Sequence, residues 1–539
     1  MRANLSFPMQ LLNKLSMRSL LKKNTINVHI FLISLLILIV FISLMWPDAQ
    51  SLIAHDEGLY ARRARLISDS GDWLSPFTSP HHKTVGSYWA IAISLKIFGI
   101  SDWASRLPSI VAGYIATLFF YFTSLRYFKP LNSLVASLSL IAMPIYFQSL
   151  RTAGPDMILI ALIMAQVYFL TSAKDASRRI FRWKILGFGA CVTMSLFVRS
   201  LAALIPLISL LPLIFVLKYL RSIQFWIWVI SGVFLGSIPL IFNLLSVFGD
   251  HGYSGLFSLV SFASRKADVN EWNLFSSLPF YFTRLVLLTF PAFVFLLPRM
   301  QSFGKIIFSA KARALRMELN ALTILFPLIY MIALSFMGTK HYHYLLPLVP
   351  LLSLNIARMD LISKRSTFKL ETSFAGVMFV LYMLGACALY FRREDLQDAS
   401  FYAVFFAVIL SSILCFYAFY ARVFSRRKIS PFALIFAFLM AQYFTIFALS
   451  ASGIIWSTNK ELKALASSVN SDCKAGVYLY GLPSKDETVL SFYLDNPYVL
   501  RSLGGLSPAN GRCLVSVESS KRKVLQDLTG HKISNFYFR

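Results

Sequence analysis

The sequence predicts a polytopic α-helical membrane protein closed by a small α/β domain, and three observations carry that prediction. The 539 residues are 57% hydrophobic and 14% charged, with a mean hydropathy of +0.65, whereas soluble domains carry about 25% charged residues. Apolar runs of the roughly 17 to 25 residues that cross a bilayer recur along most of the chain. The net charge of +28 falls in short clusters between those runs, which is how membrane topology is written.

By the length rule about thirteen spans are expected. They lie near 29–47, 107–125, 131–150, 155–173, 184–198, 201–217, 223–247, 279–298, 319–337, 343–357, 371–391, 400–421 and 431–453. The first is too long for a signal-peptide core and lacks a small-residue cleavage site, so it reads as retained. With the N-terminus cytoplasmic, the basic clusters fall inside, among them Arg178, Arg179 and Arg182, then Lys311, Arg313 and Arg316, then Arg426, Arg427 and Lys428. Fusing the pair at 184–217 into one helix would put the later basic loops outside, against the positive-inside rule.

This topology sends to the outer side a loop over 48–106, the segment Arg151–Asp156, a loop over 248–278, the turn Lys340–Tyr344 and the tail from 456. Residues 1–455 then form the membrane domain and 456–539 an outer-side α/β domain, with strand-like alternation at GVYLYGL and CLVSVES. About eighty residues is near the lower limit for independent stability, and pairing of Cys473 with Cys513 in an oxidising compartment would help. Five cysteines are too few for a disulfide scaffold. No zinc-finger spacing or basic recognition helix accompanies the positive charge, which argues against nucleic acid.

The loop over 48–106 is where chemistry is expected, because a polar loop of that length in an otherwise apolar chain needs a function. Asp56 and Glu57 open it. They read either as a solvated pair offsetting Arg62, Arg63 and Arg65, or as a general base tuned by desolvation. Asp156 follows Pro155 at a helix start, at the same membrane level; alone it is a helix-start carboxylate, with Asp56 it suggests an acid–base pair. Lys83 suits an anionic leaving group. His81 and His82 are adjacent, a spacing that seldom binds one metal, and a divalent ion such as zinc on His82 and a carboxylate is the minor reading. Arg199, Lys340 and Tyr344 are further outer-face donors; a lone arginine there is usually an interface anchor, whereas several in one cavity would hold a lipid phosphate.

The order of motifs resembles the bacterial polyprenyl-phosphate-dependent glycosyltransferases of the GT-C class, in particular the lipid A aminoarabinose (ArnT-like) transferases, kin to the protein O-mannosyltransferases. The residues that carry the resemblance are Asp56-Glu57 with Tyr60-Ala61, Ser70–Leu74, Lys83, Tyr88-Trp89, Phe98-Gly99, Arg106–Ser109, Asp156-Met157, and Lys340 with Tyr344–Pro347. The resemblance implies a GT-C fold, a sugar donor on undecaprenyl phosphate, and transfer to lipid A or another envelope acceptor at the periplasmic face. It makes Asp56 the catalytic aspartate and places Asp156 and Lys83 in the site. Glu57, Tyr60, Arg62, Arg63, Tyr88, Arg199, Lys340 and Tyr344 are the residues expected to bind donor or phosphate. The reaction implied is direct displacement at the anomeric carbon, which needs no nucleotide; no P-loop or Rossmann fingerprint is present.

The chain departs from the family around Lys83, where His82-Lys83-Thr84-Val85 replaces Glu-Lys-Pro-Pro, at Leu59, where an arginine is common, and at Arg199-Ser200-Leu201, where Lys-Gly-Pro is common. The replaced glutamate binds metal in some members, a task histidine also performs. Three other readings compete. A flippase would place ionisable residues at the bilayer midplane, whereas here they fall at span ends. A glycan polymerase or ligase would carry its large loop late, and here it is first. A membrane scaffold has no use for Asp56, Lys83 and Asp156 together.

Overall fold

A computed structural model describes residues 51–52, 56–78, 81, 83–266, 274–290, 310–337, 340–357, 364–391, 398–423, 460–473, 477–480, 482–495, 497–500, 513–517, 531–533 and 536–538, with scattered positions over 29–34 and 441–449. The stretch expected as one long loop is largely helical. Helix α1 (Asp56–Ser70) begins on two acids at its positive end and stops at Gly71, whose φ of 73° lets its N–H close back onto the Ile67 carbonyl. Helix α2 (Gly86–Phe98) follows, then α3 (Asp102–Leu125), capped by the Ser101 side chain.

Next come α4 (Pro130–Ile141) and α5 (Pro144–Leu150), bent by 70° about their break, where proline cannot continue the ladder. Helices α6 (Asp156–Ala173) and α7 (Arg178–Arg199) then pack against each other and against α3 and α10. The chain breaks at Ser200, with φ of 53°, and continues in the short helices α8 (Leu204–Ser209) and α9 (Leu211–Val216). Helix α10 (Ile223–Lys266) is kinked at Gly252, φ 59°. Helices α11 (Leu274–Thr289), α12 (Ala310–Asn320), α13 (Phe326–Ser335), α14 (Leu348–Ser353), α15 (Lys364–Phe391) and α16 (Asp398–Val423) complete the membrane part.

Among the described residues five helices are long and apolar enough to cross a membrane, or six if the bent α4–α5 pair is one span. The expected spans at 29–47 and 431–453 fall largely outside the described residues. Two expectations are corrected. The loop expected from 248 is helical as far as Lys266, because a single glycine kinks an apolar run without ending it. The span expected over 343–357 is a 3-10 turn, Tyr342–Leu345, and the six-residue α14; Pro347 and Pro350 each remove a ladder donor that hydropathy does not register.

At the far ends of α3 and α6 from the acids that open them, the buried Glu318 of α12 accepts from Lys174 and from the Tyr127 hydroxyl at 3.3 Å, with Arg126 3.6 Å away. Arg126 also meets Asp175 at 2.7 Å. This buried charge is thus multiply partnered, as burial requires.

The tail folds as α17 (Lys460–Asp472), β1 (Val477–Tyr480), α18 (Ser484–Tyr493), β2 (Pro497–Leu500), β3 (Cys513–Val517), β4 (His531–Ile533) and β5 (Phe536–Phe538). Its sheet runs β2-β1-β3-β5-β4, parallel through β2, β1 and β3 and antiparallel beyond. Cys473 is disulfide-bonded, and Cys191, Cys387 and Cys415 are free.

One hydrophobic core joins the tail to α1 and α2: Leu52, Tyr60, Ala64, Ile67 and Tyr88 share it with Leu462, Leu465, Val489, Phe492 and Val515. The fit is close enough that a Cβ on Gly58 would stand 2.7 Å from Val489 Cγ2. Arg65 of α1 fastens the seam, donating to the Phe492 and Leu494 carbonyls at 2.5 and 2.9 Å and to Asp495 at 2.8 Å. Arg65→Ala strips two buried carbonyls of a charged donor and is expected to lower stability by about 2–4 kcal/mol. The thermal midpoint of the purified protein checks this, and a value equal to wild type would show that the Arg65 bonds contribute nothing.

Candidate active site

The site forms where the starts of α1 and α6 meet the end of α7. Asp56 stands exposed in the first turn of α1. Asp156 opens α6, preceded by Pro155, and its carboxylate meets Arg199 Nη2, the last residue of α7, at 3.0 Å. The charges of Asp56 and Asp156 both act on Tyr60, on Arg199 and on His343, so the two carboxylates face one set of groups.

Tyr60 sits at the centre. Its hydroxyl accepts from Lys83 Nζ at 3.1 Å, with Arg199 Nη1 at 3.5 Å, and Lys83 lies 4.8 Å from the centre of the Tyr60 ring. Burial pushes the Tyr60 phenol up to about 12. Burial is also the main force on Lys83, drawing its ammonium below the ordinary lysine range; Arg199 and Arg63 add to this, while Tyr88 and Asp56 oppose it.

Glu57, expected to contact donor, is 1% exposed, with its carboxylate taken up by Arg106 Nε and Nη2 at 2.7 and 3.0 Å and by the Ala153 N–H at 2.9 Å. A carboxylate enclosed in this way holds backbone in place. The physical reason for the burial is the i to i+1 rotation of a helix: if Asp56 faces the site, Glu57 turns about 100° into the packing between α1 and α3.

The segment 72–85, which carries Lys83, is fixed on two sides. Toward α7, the Thr84 N–H donates to Ser200 Oγ at 3.1 Å, and a Cβ on Gly86 would come within 2.5 Å of the Phe197 carbonyl oxygen. Toward α10, Asn243 Nδ2 donates to the Leu74 carbonyl at 2.6 Å, His251 Nε2 lies 2.9 Å from the Phe77 carbonyl, and Ser258 Oγ donates to the His81 carbonyl at 2.7 Å. Between the segment and α10 lies a shallow recess with Phe77, His81, Lys83, Asn243 and His251 in its wall.

Of the other expected residues, Arg63 Nη1 donates to the Tyr88 hydroxyl at 3.0 Å, and His81 Nε2 lies 3.2 Å from the same oxygen. Tyr88 is fully buried, its ring 5.2 Å from that of Tyr60. These two positions therefore form a layer behind Tyr60 and Lys83. Arg62 lies half-buried on α1. Tyr344 packs on the rings of His341 and His343 at 5.3 and 4.7 Å and acts electrostatically on Arg199. Lys340 is half-buried at the head of the same turn. His82 lies outside the described residues, and among the described residues no three His, Cys, Asp or Glu side chains gather to hold a metal ion. The arrangement brings in Tyr330 of α13, buried within electrostatic reach of Arg199 and Asp156. Only a tyrosine in an apolar run marks it in sequence, which is too common a feature to single it out.

Residues 82–242 match the family model described as dolichyl-phosphate-mannose-protein mannosyltransferase. Among curated relatives, the undecaprenyl phosphate-alpha-4-amino-4-deoxy-L-arabinose arabinosyl transferase 2 of Proteus mirabilis is 26% identical over 214 residues, 38% of each chain. The corresponding arabinosyl transferase of Yersinia enterocolitica is 29% identical over 200 residues, 36% of each. These matches span little more than a third of the relatives' own length. The structural likeness extends further. The crystal structure of ArnT from Cupriavidus metallidurans bound to undecaprenyl phosphate superposes with a TM-score of 0.73 at 18% identity, covering 96% of this chain and 98% of that one. The apo form gives 0.71. Family model and curated relatives are similar to parts of the chain, and over nearly its whole length the chain shares the fold of ArnT.

Proposed function

We propose that the protein is an inverting glycosyltransferase of the inner membrane that moves a sugar from undecaprenyl phosphate to lipid A or another envelope acceptor, working at the periplasmic face. The observation that carries this reading is the convergence of Asp56 and Asp156 on Tyr60 and Arg199, with Lys83 bonded to the same tyrosine. A base beside paired cations is what displacement of a phosphate by a hydroxyl requires. The names of the relatives support an amino-substituted pentose such as 4-amino-4-deoxy-L-arabinose as the sugar.

In the proposed reaction Asp56 accepts the proton of the acceptor hydroxyl as its oxygen bonds to the anomeric carbon. The bond from that carbon to the phosphate oxygen breaks from the opposite face, its electron pair leaving on the phosphate. Lys83 and Arg199 stabilise that developing charge, Asp156 orients Arg199, and undecaprenyl phosphate is released. No step is assigned to a metal.

The test is transfer by the purified protein from a polyprenyl-phosphate-linked sugar, with mass spectrometry of lipid A from cells with and without the gene. An added sugar mass that depends on the gene is expected. Movement of lipid-linked sugar across vesicles without transfer would instead favour a flippase.

Lys83 gives the reading a pH signature. Its proton binds less tightly than an exposed lysine's, so as pH rises the ammonium is lost early and kcat should fall below the ordinary lysine range. Lys83→Arg, which keeps its charge throughout, should lose that alkaline limb even if its plateau rate is lower. An identical limb in both proteins would assign it to another group.

A further inference from the structure

Among the described residues the tail contributes none to the site, yet its polar contacts lead to both carboxylates. Tyr493, the last residue of α18, donates its hydroxyl to Asp102 Oδ1 at 2.6 Å and accepts the Leu52 N–H at 2.8 Å. Lys463 of α17 donates to the other oxygen of Asp102 at 2.8 Å. Asp102 is 1% exposed at the start of α3 and acts on Arg106 one turn later. Arg106 holds Glu57, whose carboxylate also takes the Ala153 N–H. Glu57 follows Asp56 directly, and Ala153 lies three residues before Asp156.

We infer that Tyr493 is a positioning residue, through which the tail sets the placement of Asp56 and Asp156. This rests on the reading of those two acids as the reacting pair. Packing alone does not explain the hydroxyl: a phenylalanine would fill the same space beside Phe492, and a half-buried hydroxyl is favourable here because both its bonds are made. Its two partners approach the site from different directions. Leu52 is four residues before Asp56, and Asp102 acts through Arg106 and Glu57 on both acids. Small displacements of a reacting group cost much in rate.

The experiment compares full-length wild type, Tyr493→Phe and Asp102→Asn in detergent, with the exposed Ser467→Ala as a control. Asp102→Asn breaks the same contact from its other end, so the outcome does not hang on one variant folding. Two quantities are read: hydrogen exchange at the Ala153 amide, from overlapping peptides across 151–157, and the kinetics of transfer. In both variants Ala153 should exchange about tenfold faster, since one buried hydrogen bond far from it in sequence is lost. The value of kcat should fall about tenfold with the donor KM within about twofold.

Faster exchange confined to residues 477–500, or none, would overturn the inference and leave Tyr493 a local support of the tail. If exchange at Ala153 rises but wild type transfers no sugar, the coupling stands and the proposed reaction fails. If wild type transfers and both variants match it in kcat, positioning is refuted whatever the exchange shows.

Discussion

Asp56→Asn is expected to abolish most transfer, lowering kcat by about 10²–10⁴-fold, the contribution of a positioned general base. The substitution keeps the size of the side chain, and asparagine suits a helix start as aspartate does, so the fold should be retained. Asp56 is exposed and lies outside the shared core of α1 and the tail, which removes the usual route to instability. The donor KM should change little, because a base acts on the acceptor proton and not on the bound phosphate. The measurement is steady-state transfer beside a thermal melt of the same preparation. Full activity in a folded Asp56→Asn would sink the assignment and make Asp156 the candidate base, despite its pairing with Arg199.

Arg199→Ala should have the second-largest effect, about 10²–10³-fold in kcat, as expected when a preorganised donor to developing charge is removed. Arg199 bridges two parts of the site: one guanidinium nitrogen meets Asp156 at 3.0 Å, and the other points to the Tyr60 hydroxyl at 3.5 Å. Arg199→Lys keeps the charge but not the two-pronged geometry, so its loss should be intermediate. Coupling can be read from a double-mutant cycle with Asp156→Asn. If Asp156 acts by orienting Arg199, the double variant should be little worse than Arg199→Ala alone. Independent, additive losses would show that Asp156 has a separate task.

The sequence carries the residue types of the site but not all of its geometry. Asp56 and Lys83 are legible as charges in a long polar loop of an otherwise apolar chain, and Asp156 as a charge at the start of an apolar run. That the three converge depends on contacts across long separations, such as Lys83 to Tyr60 and Arg199 to Asp156, and no local pattern encodes those. The setting of Glu57 is hidden for the same reason. Beside Asp56 it reads as half of an acidic pair, and its burial depends on Arg106, 49 residues away, and Ala153, 96 residues away. Hydropathy registers the apolar runs well but is blind to what prolines do within them, hence the broken helix at Pro347 and Pro350. The tail's grip on α1 is equally hidden, since Arg65 lies in an arginine cluster that looks solvated and finds its acceptors 427 and 429 residues later.

The core shared by α1, α2 and the tail sets an order of events during synthesis. The apolar face of α1 is completed by Leu462, Val489 and Phe492, which leave the ribosome long after it. At about 5–20 residues per second, the 427 residues between Arg65 and Phe492 take roughly 20 to 85 seconds to make. For that interval the nascent chain carries its first helices with an unfinished hydrophobic face. Chains released early never complete it, so a premature stop anywhere before the tail should leave a product recognised by quality control, however intact its membrane spans.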